Sequence, residues 1–177
     1  KLASLVLKAG DKVSVKVDTL GAGLAIEGSE ESLLLGQYEK GLAEVSSQMV
    51  QMSEQMNAAI AKKDRKAETD IKLQMGKSYV NYRRDLIKKI MENPYSFANI
   101  NALYQQIGQQ LPVFTAENDY LLVERVHDSL ATIYPTSVYL QSLKEQVQGA
   151  KNALALAEKI YEAEVTAFPN LSLPDIN

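Results

Sequence analysis

The apolar residues between positions 35 and 60 recur at alternating intervals of three and four residues. The series comprises Leu35, Tyr38, Leu42, Val45, Met49, Met52, Met56 and Ala59. Only a long α-helix places residues with this heptad spacing along one line. Ser29 is a suitable N-cap, and Glu30 and Glu31 would lie at the positive end of the helix dipole. The pattern therefore predicts a helix that begins after Ser29 and runs to about Ala61.

A second amphipathic helix follows a short polar segment at residues 62–66. Its apolar positions recur every three or four residues, at Ile71, Met75, Tyr79, Tyr82, Leu86 and Ile90. Two long helices joined by a short link pack as antiparallel neighbours. The sequence thus predicts a long helical hairpin.

Pro94, Pro112 and Pro135 divide the remaining chain into further segments. Between the first two prolines an apolar stripe predicts a third helix capped by Asn93, with Phe97, Ile100, Leu103, Ile107 and Leu111 on one face. Thr115 is expected to cap a fourth helix that carries Leu122, Val126, Leu130 and Ile133. A fifth helix, at about residues 136–165, repeats the heptad spacing at Leu140, Leu143, Val147, Ala150, Leu154, Ala157 and Tyr161.

The front of the chain has the composition of β-strands. Residues 1–8 and 13–17 are rich in apolar and β-branched side chains, and the short segment 9–12 between them contains Gly10 and Asp11. This arrangement predicts a hairpin, and residues 24–26 predict a further short strand after a turn at residues 18–23. So few strands are not stable alone. They must lie on the helices, pair with another chain, or belong to a sheet whose other strands precede residue 1.

These patterns predict a mainly α fold, with long antiparallel helices in a bundle-like arrangement and a small N-terminal β-hairpin. The expected divisions are residues 1–28 as the end of a β-rich domain, 29–165 as a helical domain and 166–177 as an extended linker. Residues 93–134 also have a faint similarity to one tetratricopeptide unit, although a single unit does not make an array.

The composition excludes some functions. Lysine and arginine number 19 against 22 aspartates and glutamates, so the basic excess that is typical of nucleic-acid binders is absent. Cysteine is absent, which excludes a disulfide, a thiol nucleophile and a cysteine-ligated metal site within these residues.

His127, the single histidine, is the main candidate for chemistry. Glu124 and His127 have the Glu-x-x-His spacing of di-iron bundles, but such a site needs a second copy of the motif. A Ser-His-Asp site with Asp128 is a weak alternative without a Gly-x-Ser-x-Gly turn. No phosphate-binding glycine motif occurs, and residues 21–23 are better explained as a turn. We therefore predict no catalytic, cofactor-binding or metal-binding residue and no cofactor.

Other clusters are candidates for binding. Five methionines (Met49, Met52, Met56, Met75 and Met91), with the tyrosines, could line a groove for a partner helix, but methionine at heptad positions is more often core. Two basic clusters could bind anions, although a solvated surface is the simpler explanation: Lys62, Lys63, Arg65 and Lys66, then Arg83, Arg84, Lys88 and Lys89.

Several stretches resemble a known family. The tail FPNLSLPDIN (residues 168–177) is similar to the lead-in of TlpA/ResA-type thioredoxin-like domains and their peroxiredoxin-like relatives. The front LVLKAGDKVSV (residues 5–15), with IEGS at 26–29 and Ser32, resembles the end of the DUF4369-type domain that precedes such domains in exported Gram-negative lipoproteins. NINALY (99–104) and YPTS (134–137) resemble their linking region.

The resemblance implies a role without chemistry of its own. The family's catalytic Trp-Cys-x-x-Cys maps to no position here, because the chain has neither cysteine nor tryptophan. It implies the non-catalytic front module of a thiol-disulfide oxidoreductase, periplasmic or anchored to the outer membrane by a lipid outside these residues. The module would position the redox domain or mediate dimer or substrate contacts, with a protein partner or self-association and no nucleic acid. The alternative is a stand-alone helical adaptor, coiled-coil or tetratricopeptide-like, and an enzyme using Glu124, His127 and Asp128 is a distant third.

Overall fold

The computed structural model describes residues 4–8, 10–17, 24–108 and 110–166. The described part contains five helices and two small antiparallel hairpins, which confirms the mainly α fold. In chain order the elements are β1 Ser14–Val17, β2 Leu24–Glu27, α1 Glu30–Ala61, α2 Arg65–Glu92, α3 Ala98–Leu103, β3 Gln106–Ile107, β4 Leu111–Pro112, α4 Ala116–Ala131 and α5 Val138–Thr166. The turn expected at residues 18–23 and the tail from residue 167 lie outside the described residues.

The predicted long hairpin is confirmed in α1 and α2. Ser29 caps α1 by accepting a hydrogen bond from the Ser32 N–H, and α1 ends at Ala61 as the heptad pattern indicated. Lys63 has a φ of 58° in the connection, and the Asp64 carboxylate caps α2 by accepting from the Ala67 N–H at 3.0 Å. All eight heptad positions of α1 are buried or half-buried. This row of heptad positions, the seam of α1, is therefore at least half-buried along its whole length.

The predicted third helix is wrong beyond Leu103. The helix ends there, and residues 106–107 pair with residues 111–112 as a second hairpin. Gly108 adopts a φ of 66°, which a side chain disfavours and which ends helical geometry. Asn93 is also not an N-cap: it ends α2 and is followed by a turn before α3 begins at Ala98.

The front of the chain pairs differently from the prediction. Residues 4–8 are not a strand, and the hairpin is formed by β1 with β2, in the register Ser14 to Glu27 and Val17 to Leu24. Val6 is instead fixed to the start of α1 by serine side chains. Its carbonyl accepts from the Ser29 and Ser32 hydroxyls at 2.9 Å each, and its N–H donates to the Ser32 oxygen at 3.0 Å.

Glu31 holds this front segment against the loop that precedes α3. Its buried carboxylate pairs with the Lys8 ammonium at 2.7 Å and accepts from the Ser96 hydroxyl and from the Ala98 N–H. Burial by itself raises the pKa of Glu31, but the hydrogen bonds from Lys8, Ser96 and Ala98 outweigh it and lower the pKa below its usual range.

The last two helices form a second, antiparallel pair. Thr115 caps α4 as predicted, accepting from the Asn118 N–H. Ile133 was expected on the core face of α4, but it lies after the helix ends and is 49% exposed. The start of α5 is two residues later than predicted, and the helix ends at Thr166.

One hydrophobic core joins both helical pairs. Its largest deeply buried side chains come from α1, α2, α4, α5 and the segment before α4: Tyr38, Ile90, Val113, Val126, Leu130 and Leu143. No described helix is both long enough and apolar enough to cross a bilayer.

Candidate functional site

The second half of α5 stands outside the core. Ala150 is buried, at 6% exposure, and every residue from Lys151 to Glu162, the part of the following helix whose burial is described, is exposed. We call residues 151–166 the α5 extension. At 1.5 Å per residue its 16 residues add about 24 Å of helix beyond Ala150.

The α5 extension is amphipathic. At 100° per residue, the larger apolar side chains and two alanines of residues 151–162 fall within an arc of about 160°, and Glu164 follows at the centre of that arc. This apolar face consists of Ala153, Leu154, Leu156, Ala157, Ile160 and Tyr161. The opposite side carries Lys151, Asn152, Glu158, Lys159 and Glu162. A helix with this division between apolar and charged sides is typical of a helix that packs against something.

The apolar face is open within the described part of the chain. Leu154 is 44% exposed, Ile160 52%, Leu156 58% and Tyr161 70%. Single exposed apolar side chains are ordinary on protein surfaces, but a contiguous row of them marks an interaction surface. The sequence had placed Leu154, Ala157 and Tyr161 on the same heptad seam as the buried half of α5. The structure shows that the residues with this heptad spacing are buried as far as Ala150 and exposed from Leu154 to Tyr161.

The first half of α5 is firmly seated. Leu140, Leu143, Val147 and Ala150 are buried. The Gln146 amide donates to the Tyr104 hydroxyl at 2.7 Å.

Two further contacts fix the ends of this seated half. Near its start, Tyr139 packs edge-on against Phe97 with ring centroids 5.7 Å apart. At its end, the Lys151 ammonium pairs with the Glu124 carboxylate, and this hydrogen bond raises the pKa of Lys151. These contacts therefore fix the direction in which the α5 extension projects from the packed helices.

Arg83 anchors α4 to the long hairpin and so positions α5 indirectly. Its guanidinium pairs with both oxygens of the Asp119 carboxylate and donates to the Val113 carbonyl. The hydrogen bond to Asp119 raises the pKa of Arg83. Asp119 also accepts from the Thr115 N–H at 2.9 Å, and its backbone departs from helical geometry there. No sequence pattern indicates this pair, because the two residues are 36 positions apart.

The candidate histidine site does not assemble. His127 is half-buried, and its Nδ1 lies 2.9 Å from the Asp128 carboxylate. Glu124 is engaged by Lys151. Among the residues that the structure describes, no group of three histidine, aspartate or glutamate side chains could hold a metal ion.

The methionine and tyrosine groove is filled by the chain itself. Met49 is buried in the core, and Met52 and Met75 pack against it, whereas Met91 is exposed. Tyr79 donates to the carbonyls of Pro112 and Val113, which fixes its ring inside the molecule. All of these residues except Met91 therefore belong to the core rather than to an open groove for a partner helix.

The two basic clusters differ in their surroundings. Lys62, Lys63, Arg65 and Lys66 are exposed around the tip of the long hairpin. In the second cluster, Arg84 donates to Asn81 and Lys88 faces Glu92 at 3.8 Å, while Arg83 is withdrawn into its pair with Asp119.

An open cleft lies between α1 and α2. It has a volume of about 280 Å³, below the usual range for small-molecule sites, and its rim is mostly polar, with Gln37, Glu44, Gln48, Ser78 and Asn81. Gly41 and Tyr82 also line the cleft. The α5 extension is the better candidate for function.

The chain has no significant match among protein-family models, curated proteins or solved structures. The resemblance to the front region of TlpA/ResA-type oxidoreductases therefore stays a prediction.

Proposed function

We propose that this chain is a non-catalytic helical module that binds a protein through the apolar face of the α5 extension. The observation that carries the proposal is a helix that continues about 24 Å past Ala150, with an apolar face that is exposed over residues 151–162. The resemblance adds a context: the module would belong to an exported thiol-disulfide oxidoreductase and would hold or orient a thioredoxin-like domain.

A protein is a better match to this face than a lipid surface. Helices that lie on anionic membranes carry a basic excess on their polar side. The polar side of the extension instead mixes Lys151 and Lys159 with Glu158 and Glu162. Mixed charges beside an apolar stripe are typical of helix-to-helix contacts.

The non-catalytic part of the proposal is tested with the purified chain. In an insulin-reduction assay driven by dithiothreitol, we expect the rate to equal that of the protein-free blank, because no thiol is present to exchange. A rate above the blank that follows the protein through purification would overturn this part.

The redox context is tested by reading the coding sequence beyond codon 177. We expect a Trp-Cys-x-x-Cys motif in a thioredoxin-like domain. A stop codon or an unrelated domain there would overturn that context and leave the stand-alone adaptor, which binds a partner through the same α5 face.

The binding surface is tested by substitution. Leu156→Gln/Ile160→Gln makes the apolar face polar without changing net charge, and Asn152→Gln/Ala155→Gln alters the opposite side as the matched control. If the motif is present, the downstream domain added in trans to isotope-labelled chain should shift amide resonances of the extension in the control. Equal shifts in the apolar-face variant would place the contact elsewhere.

A further inference from the structure

We propose that the cleft between α1 and α2 binds a small, neutral, polyhydroxylated ligand of the size of a monosaccharide. This inference goes beyond the proposed function, because the cleft lies on the long hairpin rather than on the α5 extension. It would give the chain a ligand site of its own besides its protein-binding face.

The cleft exists because two rows of side chains along the long hairpin do not meet. Each row follows one face of its helix, at spacings of three and four residues: Gln37, Gly41, Glu44 and Gln48 on α1, and Ser78, Asn81, Asp85 and Lys89 on α2. Side chains that flank the seam of a helix pair commonly bond across it. Here, within the continuously described residues 24–108, no hydrogen bond or ion pair joins the two rows. Their polar groups therefore line a shared opening.

The polar groups at the rim keep hydrogen-bonding capacity for a ligand. Glu44 has a cation near it only on its own helix, Lys40 at 3.9 Å, and the Asn81 side-chain oxygen accepts from Arg84 of its own helix at 3.0 Å. That bond leaves the amide N–H groups of Asn81 as donors. The remaining polar side chains of the rim make no hydrogen bond or ion pair with any described residue: Gln37, Gln48, Ser78, Asp85 and Lys89.

The buried part of the lining is apolar. Tyr38, Val45 and Leu86 line the cleft and belong to the core, with at most 5% exposure. The half-buried Tyr82 ring is held by the hydrogen bond from its hydroxyl to Gln105. A Cβ at Gly41 would lie 3.3 Å from that ring, so a larger residue there would narrow the cleft. A ligand with an apolar C–H face and polar edges would thus meet apolar atoms inside and polar groups at the rim.

The mixture of charges at the rim favours a neutral ligand with several hydroxyls. An anion would meet the carboxylates of Glu44 and Asp85, and a cation would meet the Lys89 ammonium. A hydroxyl both donates and accepts, so it can bond to a carboxylate, an amide or an ammonium. The volume of about 280 Å³, just below the range of drug-sized sites, limits the ligand to about one sugar ring.

The exposure of the rim indicates weak binding. Gln37, Gln48 and Asn81 are all exposed, so a bound ligand would keep part of its surface in water. Small ligands in such sites gain little free energy per atom. We therefore expect a dissociation constant of roughly 1–10 mM.

The first experiment titrates isotope-labelled intact chain with D-glucose, D-galactose and D-mannose, which differ in hydroxyl configuration. The titration runs to about 100 mM, roughly tenfold above the weakest expected constant. The side-chain amide resonances of Gln37, Gln48 and Asn81 report from the cleft itself. At least one sugar should shift them saturably, while the side-chain amides of Gln141 and Asn152 on α5 should move little. Absence of saturation with all three sugars, or equal shifts on α5, would overturn the proposal.

The second experiment locates the site by substitution. Gln48→Ala/Asn81→Ala removes one rim amide from each helix and should weaken binding by roughly fivefold or more, because hydrogen bonds to the ligand are lost. The matched control, Gln55→Ala/Gln74→Ala, removes one exposed amide from each helix outside the cleft and should leave binding unchanged. Circular dichroism should show the same helix content in all three chains, since the substituted side chains are exposed. Equal binding by the two variants would show that the cleft is not the site.

The ligand class is tested with two charged compounds of similar size, succinate and putrescine, at the same concentrations and constant ionic strength. Both should bind more weakly than the best sugar. Tighter binding of either compound would overturn the assignment of a neutral ligand. Failure of the cleft proposal would leave the proposed function unaffected, because the α5 face is tested with the downstream domain and its own substitutions.

Discussion

The Tyr38 hydroxyl on α1 donates a 2.7 Å hydrogen bond to the side-chain oxygen of Asn99 on α3, and both side chains are buried. The Asn99 amide donates in turn to the Asn93 carbonyl at the end of α2. Three successive helical segments are thereby joined through two side chains. Burial also raises the pKa of the Tyr38 hydroxyl well above its usual value, so it remains a donor at alkaline pH.

Tyr38→Phe should lower the free energy of unfolding by about 1–3 kcal/mol, because it leaves a buried amide oxygen without a donor. Urea denaturation followed by circular dichroism measures the change. Tyr95→Phe, at a residue that is 56% exposed, is the matched control and should stay within about 0.5 kcal/mol of the parent. Equal effects of the two substitutions would show that the Tyr38 hydrogen bond is not required for stability.

Arg83→Met should destabilise the chain by about 2–4 kcal/mol, because it leaves the Asp119 carboxylate, which is 6% exposed, without its cation. Hydrogen exchange should also quicken in α4 more than in α1. The neighbouring exposed residue supplies the control: Arg84→Met removes the same charge and should change stability by less than about 0.5 kcal/mol. A similar loss of stability in both variants would indicate an effect of net charge rather than of the Arg83–Asp119 ion pair.

The Glu31 carboxylate predicts an acid-sensitive component of stability. Its folded pKa lies below the ordinary value of 4.5, so the unfolded chain binds more protons between the two pKa values. The stabilisation from Glu31 is complete above about pH 4.5 and is lost as the pH falls through the folded pKa. Glu31→Gln should remove this component, so that its stability difference from the parent shrinks on acidification.

Urea titrations from pH 7 to pH 3, a range that extends below the ordinary pKa of 4.5, measure this difference. Glu30→Gln, at the exposed neighbouring position, removes the same charge and should keep the parent's pH dependence. An unchanged pH dependence in Glu31→Gln would rule out the assigned role.

The two glycines in the first half of α1 should respond differently to alanine. A Cβ at Gly36 would meet nothing within 4 Å, so Gly36→Ala should stabilise the chain by about 0.5–1 kcal/mol through helix propensity. A Cβ at Gly41 would lie 3.3 Å from the Tyr82 ring, which is fixed by a hydrogen bond to Gln105. Gly41→Ala should therefore gain less, or lose stability. Thermal melts of both variants check the order, and a larger gain at Gly41 would contradict it.

The long hairpin was predictable because its information is local and repeated. The apolar positions of α1 and α2 recur every three or four residues, so each turn indicates the same buried face. Ser29 marks the start of α1. The α3 region shows the limit of that signal. The stripe from Phe97 to Leu111 fits a helix as well as it fits the observed chain, and the decision depends on Gly108 and on pairing across a turn.

The front segment and the candidate site show a second limit. Periodicity identified the apolar residues of residues 4–8 but could not show that Ser29 and Ser32 bond to Val6, since those contacts cross more than 20 positions. It also placed Leu154 and Tyr161 on the heptad seam of α5, but it did not show at which residue the seam stops being buried. The length of α4 relative to α5 decides that, and a single-helix pattern does not contain it.

α5 is one continuous helix whose first half is clamped and whose second half is not. The part of the helix beyond Ala150 can therefore tilt as a rigid rod about Ala150. A tilt of about 10° at this residue would carry the end of the helix through about 4 Å, since the free length is about 24 Å. Small changes of side-chain volume under Val147 or Ala150 would thus cause a larger displacement at Thr166. The packing beneath α5 therefore determines the direction in which the end of the helix points.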